Sequence, residues 1–98
     1  MKTMTTAEVQ QAIESGVALK LIDVREVEEV EAGHIPGIMN IPLSVFETRM
    51  LELDKSEKYI VVCRSGNRSG MATQLLESHG FDATNMIGGM LEWQGEVQ

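Results

Sequence analysis

The chain has 98 residues, a formal net charge of −7, and 43% hydrophobic against 23% charged residues. That length supports one domain around one core, residues 1 to 98, and the apolar share excludes a disordered chain. The acidic balance excludes nucleic acid as the main partner, because phosphate binding needs a basic face.

Taken in chain order, Thr5 and Glu8 have capping-box spacing, Val9, Ala12 and Ile13 recur at helical spacing, and Gly16 is placed to end that helix. Residues 18 to 24, ALKLIDV, read as a strand. REVEEVEAG then predicts a short acidic helix with Val27 and Val30 on one side, stopped at Gly33. A short strand over residues 38 to 42 closes at Pro42, and Ser44 with Glu47 forms a second capping box opening a helix through SVFETRMLEL. YIVVC, residues 59 to 63, is a continuous apolar run of the kind buried on both faces of a sheet. The next helix starts near Asn67, with Met71, Ala72, Leu75 and Leu76 on one face and Gly80 past its end. A strand around residues 84 to 87 and a short helix ending near Trp93 complete the chain. Strands alternating with helices predict an α/β fold: an open, mostly parallel sheet with helices on both faces.

In such sheets, sites form outside the carboxyl ends of strands, and Cys63 stands at the carboxyl end of the most apolar one. As the only cysteine it has no disulfide partner, and with His34 and His79 alone beside it no zinc site is expected. A free thiol suits a reducing compartment, and the N-terminus lacks a signal-peptide pattern. No stretch approaches transmembrane length, so no membrane association is expected. Cytoplasmic residence is the expectation, although a processed secreted form would read the same.

A cysteine ending a buried strand is commonly an inert core residue. The next five residues change that reading. Arg64 and Arg68 bring two cations within five positions, Gly66 lets successive amides curl around one centre, and Ser65 and Asn67 keep that centre open. The helix beginning near Asn67 aims unpaired N–H groups at the same point. Cations and a helix N-terminus favour the thiolate, the nucleophilic form of a thiol. Cys63 is therefore the candidate nucleophile, with Arg64, Ser65, Gly66, Asn67 and Arg68 as candidate substrate-binding residues.

Elsewhere, Asp23, Arg25 and Ser69 are candidate supports. Asp23 and Arg25 end a strand at the same end of the sheet as Cys63, and a structural ion pair is the favoured reading of them. His34 reads as a turn histidine bonded to backbone, since an ionised thiol needs no general base. Gly88 and Gly89 imply close backbone approach, Trp93 a core plug, and REVEEVE a solvated face.

Four stretches, LIDVRE (21 to 26), GHIPG with NIP (33 to 37 and 40 to 42), VVCRSGNRS (61 to 69) and GGMLEW (88 to 93), occur in an order and spacing that resembles the rhodanese family. The chain is similar to a stand-alone single-domain rhodanese over essentially its whole length. Ile38, Val30 and Val27 stand where that family usually has alanine, an aromatic residue and proline, which bears on the pocket rim. The resemblance implies that Cys63 carries a transferable sulfur as a persulfide and that the amides of residues 64 to 68 cradle it.

The function expected is thus a thiosulfate:cyanide type of sulfurtransferase without a cofactor. Its donor would be thiosulfate or another sulfane-sulfur compound, and its acceptor cyanide, a small thiol or a protein thiol. Arg64 would attract the donor's anionic head, with Arg68 sharing that task or pairing with an acid such as Asp23. Two rivals belong to other classes. A cysteine-dependent phosphatase or arsenate reductase resembles Cys-x-x-x-x-x-Arg, but here four residues separate Cys63 from Arg68, a smaller ring suited to one sulfur atom. A non-enzymatic interaction or sulfur-relay module would be marked by loss of the cysteine, which is present.

Overall fold

The computed structural model describes residues 1 to 98. It is an α/β sandwich whose strands and helices run β1 (Lys2–Met4), α1 (Thr6–Glu14), β2 (Lys20–Asp23), α2 (Val27–Glu31), β3 (Met39–Asn40), α3 (Leu43–Arg49), β4 (Lys58–Val62), α4 (Asn67–Ser78), β5 (Asp82–Met86) and α5 (Gly89–Glu92). All paired strands are parallel, in the order β1-β5-β4-β2-β3, so the apolar β4 lies at the centre. Register sets Val61 beside Ile22 on one side and Asn85 on the other, while Val62 pairs with Asp23.

The two-residue period of β4 divides the core. Tyr59, Val61 and Cys63 point into a cluster with Ile22, Phe46, Ala72 and Leu76, covered by α3 and α4. Ile60 and Val62 point into a second cluster with Val9, Leu21, Ile35 and Met86, backed by Met90 and Trp93 from the chain's end. Full burial of a Val, Ile or Phe side chain is worth about 1.5–3 kcal/mol, so these two layers hold the sheet against chain entropy. Cys63 extends the first layer at the sheet's carboxyl edge, just below the start of α4.

Several expectations need correction. Residues 2 to 4 form an unforeseen edge strand, paired with β5. The Thr5–Glu8 capping box is present, with both reciprocal bonds. The Ser44–Glu47 box is absent, because α3 is capped two residues earlier, at Pro42, whose carbonyl accepts the Val45 N–H. A proline with fixed φ preorganises that first turn and leaves Ser44 facing the Glu26 carboxylate at 3.4 Å. Val27 and Met71 are exposed, so the apolar faces of α2 and α4 rest on Val30 and on Ala72, Leu76 and the partly buried Leu75. Trp93 is half-buried, its Nε1 donating to the Glu96 carbonyl, and so lies at the margin of the second layer rather than plugging it. No helix is long and apolar enough to cross a membrane.

Candidate active site

The turn after β4 is built so that backbone donors converge on sulfur. Gly66 adopts φ 107°, a left-handed value open to glycine, and caps α4 without a side-chain bond. This bend points the Gly66 N–H at Cys63 Sγ, 3.0 Å away, and the Sγ lies 3.3 Å from Ser69 Oγ. The thiol is fully buried. Burial pushes its pKa up, but the Ser69 hydroxyl, which can turn its proton to the sulfur, and the amides of Ser69, Gly66 and Ser65 outweigh burial and hold it below the ordinary thiol value.

A second segment clamps this turn from outside. The amides of Met90 and Leu91, at the start of α5, donate to the carbonyls of Cys63 and Arg64 at 2.9 and 3.0 Å. Such contact leaves no room for a side chain at Gly89: a Cβ there would lie 2.3 Å from the Arg64 carbonyl oxygen. The close approach expected of the paired glycines is therefore real at Gly89. At Gly88 a Cβ would meet only the flexible end of Glu92.

The two loop arginines differ. Arg64 is exposed and forms no ion pair. Arg68 grips Glu29 of α2 through both guanidinium nitrogens, at 2.7 and 2.9 Å. That bidentate contact drives the Glu29 carboxyl down to about 2 and raises the Arg68 guanidinium further. Arg68 thus pairs with an acid, and that acid is Glu29 rather than Asp23. Ser65 and Asn67 are exposed on the turn, where they line an open cleft of about 430 Å³ together with Gly66, Met71, Gln74 and Ile87.

Asp23 and Arg25 stand apart from this constellation. Arg25 binds Asp23 through Nε and Nη2 and spends its other donors on the carbonyls of Glu29 and Gly33. Both are buried, and their bonds brace α2 against β2 rather than reaching the sulfur. His34 Nδ1 lies 2.9 Å from the Val30 carbonyl oxygen, the backbone role expected of it. Ile38 packs in the second layer, on the opposite face of the sheet from the thiol.

The residue that sequence reasoning missed is Asn85. It accepts the Ser69 hydroxyl at 2.5 Å and donates to the Gly66 carbonyl at 3.2 Å. Its signal was available: a fully polar amide interrupts an otherwise small or apolar inward row of β5, beside Val61 and two residues short of Cys63. No cluster of three or more histidine, cysteine, aspartate or glutamate side chains is arranged to hold a metal ion.

Residues 5 to 96 match the rhodanese-like domain family. The chain is 41% identical over 98 residues to the Bacillus subtilis protein named "Putative sulfurtransferase YtwF", covering 100% of this chain and 95% of that one. It is 39% identical over 90 residues to "Putative sulfur carrier protein YrkF" of the same organism, covering 91% of this chain but 49%, about half, of that protein's length. Among solved structures, a rhodanese-like domain protein from Staphylococcus aureus superposes with a TM-score of 0.91 at 35% identity, covering 98% and 94% of the two chains.

Proposed function

The chain belongs to the rhodanese-like domain family, and we propose that it is a sulfurtransferase working through a persulfide on Cys63. In the first half-reaction the Cys63 thiolate attacks the outer sulfur of thiosulfate or a related donor. A new S–S bond forms, the donor's own S–S bond breaks, and sulfite leaves with the electron pair. In the second, cyanide or a thiolate attacks the terminal sulfur, takes it, and returns the electron pair to Cys63. The protein supplies no redox equivalents and needs no cofactor.

One observation carries this reading: the Gly66 amide is 3.0 Å from Sγ in a turn whose amides favour the anion despite complete burial. The same converging donors suit a terminal sulfur anion one bond further out, which is preorganised electrostatic stabilisation. Arg64, free of any carboxylate, would meet the anionic donor; Arg68 would act at a distance, its charge largely answered by Glu29. Ser65, Gly66 and Asn67 would form the mouth through which donor and acceptor pass.

The phosphatase alternative fares worse on the same geometry. It needs an arginine closing the ring on a tetrahedral oxyanion, and Arg68 is committed to Glu29. The names of the relatives, a sulfurtransferase and a sulfur carrier, favour sulfur donors and thiol acceptors as partners. A reducing cytoplasm would keep Cys63 available.

Steady-state kinetics with thiosulfate and cyanide test the proposal. A covalent sulfur intermediate predicts parallel double-reciprocal lines and thiocyanate formation that Cys63→Ala abolishes, with no hydrolysis of an aryl phosphate. Thiocyanate formation by folded Cys63→Ala protein, or brisk phosphate release by the unaltered chain, would overturn it.

A further inference from the structure

Behind the reactive turn lies a continuous buried chain of polar groups. Cys63 and Ser69 are fully buried and Asn85 is 4% exposed. Sulfur lies 3.3 Å from Ser69 Oγ, Ser69 Oγ lies 2.5 Å from Asn85 Oδ1, and Asn85 Nδ2 lies 3.2 Å from the Gly66 carbonyl. The chain then returns to its origin, because the N–H of the same Gly66 donates to the sulfur. The fold closes this circuit by register: Asn85 sits beside Val61 across the sheet, on the inward row of β5 that faces α4.

Proton bookkeeping fixes the direction of each bond. Rotating the Asn85 amide would set its Oδ1 against the Gly66 carbonyl, acceptor facing acceptor, so Nδ2 must face Gly66 and Oδ1 must face Ser69. Asn85 Oδ1 then needs a donor, and Ser69 has one hydroxyl proton to give. While that proton points at Asn85, Ser69 offers the sulfur only a lone pair, an arrangement that suits S–H. When the thiol ionises, a lone pair facing S⁻ is repulsive. The hydroxyl must turn its proton to the sulfur and leave Asn85 Oδ1 buried without a donor.

We propose that Asn85 is a positioning residue that governs Cys63 through Ser69, competing with the sulfur for the single hydroxyl proton. The Ser69 hydroxyl is a two-position switch: toward Asn85 in the thiol, toward sulfur in the thiolate and in the terminal anion of a persulfide. Asn85 thereby restrains ionisation while its Nδ2 pins the Gly66 peptide in the orientation that donates to sulfur. Charged groups do not substitute for this. Arg68 of α4 acts on the sulfur through space and is tied to Glu29 of α2; Arg64 is exposed; Glu92 of α5 lies against Gly88; and none of them hydrogen-bonds Sγ. The persulfide clause rests on the sulfurtransferase reading, whereas the thiolate clause does not.

The test therefore reads ionisation alone. The pH dependence of Cys63 alkylation by iodoacetamide gives the thiol pKa for the unaltered chain, Asn85→Leu, Ser69→Ala and the double variant, with folding checked by circular dichroism and urea. Asn85→Leu is nearly isosteric and removes the competing acceptor. Its expected effect is to lower the Cys63 pKa by about one unit, a tenfold change in the ionisation constant, and to do so only when Ser69 is present. In the Ser69→Ala background the same substitution only frees the Gly66 peptide from Nδ2, so it should leave the pKa unchanged or raise it. An equal shift in both backgrounds, or none in either, would overturn the proposal, because a purely structural asparagine acts without regard to the hydroxyl. Should Asn85→Leu fail to fold, the β-branched Asn85→Val serves in its place. It too removes the competing acceptor, so it should lower the pKa more with Ser69 than with alanine at position 69. An equal shift in both would refute the switch.

Discussion

Gly89→Ala puts the clamp on the reactive turn to a quantitative test. A Cβ at residue 89 would lie 2.3 Å from the Arg64 carbonyl oxygen, 2.4 Å from its carbon and 2.6 Å from the Ser65 nitrogen. All three are backbone atoms of the turn, so no side chain can swing aside. Relief requires the turn and the start of α5 to part by about 1 Å, and a displacement of that size at a reacting group costs roughly 10²-fold in rate. Stability falls for two reasons. Overpacking of this kind costs about 1–3 kcal/mol, and a side chain at the left-handed φ of 60° adds about 1–2 kcal/mol. The sum is about 2–5 kcal/mol, a large part of the 5–15 kcal/mol typical of a whole domain. Gly80→Ala is the matched control, with φ 85° and open space where its Cβ would sit, so that it incurs the backbone term alone. Urea unfolding and the rate of Cys63 alkylation are measured on both. Gly89→Ala should lose more stability than Gly80→Ala and react far more slowly. Equal stability and unchanged reactivity in the two variants would refute the view that Gly89 exists to let the clamp close.

Asp23→Asn should destabilise the protein by about 3–5 kcal/mol, since it strands a buried guanidinium, yet leave the Cys63 pKa of the folded fraction unchanged; a shifted thiol pKa would return Asp23 and Arg25 to the site. Glu29 supplies a pH signature. Its folded pKa of about 2 lies below the ordinary value of 4.5, so its contribution to stability is present above pH 4.5 and is lost as the pH falls through the window toward 2. Both partners are about one-third exposed, and screening limits the effect to about 1 kcal/mol or less. Glu29→Gln should flatten that part of the stability profile, and an unchanged acid limb would show that the pair contributes nothing. Arg64→Ala should raise the KM for thiosulfate more than Arg64→Lys does, with added salt weakening the unaltered protein in parallel. Identical kinetics for all three would reduce Arg64 to a surface charge.

What was legible in the sequence was what local rules encode. The Thr5–Glu8 box, the run ending at Cys63 and the glycine-turned helix start near Asn67 depend on neighbours within a few positions, and each stands where expected. Failures came where distant residues decide. β1 has three residues and no alternation, and only its pairing with β5 makes it a strand. Arg68 could have met any of several acids; its 39-residue separation from Glu29 closes only once α2 folds over the sheet. Ser44 and Glu47 matched a local pattern that the rigid Pro42 pre-empted. Asn85 was passed over because a polar residue in a strand has meaning only beside its partner, and Ser69 is 16 positions away.

Cys63 alone should accept and hold a sulfur atom, and the intact mass of the loaded protein shows whether it does. The chain is incubated with thiosulfate, freed of donor by gel filtration, and weighed before and after addition of cyanide or a dithiol, beside Cys63→Ala treated identically. The expected result is one added sulfur atom on the unaltered chain, stable in buffer and removed promptly by the acceptor, and no addition to the variant. A chain that gains no sulfur, or a Cys63→Ala protein that gains as much, would contradict it.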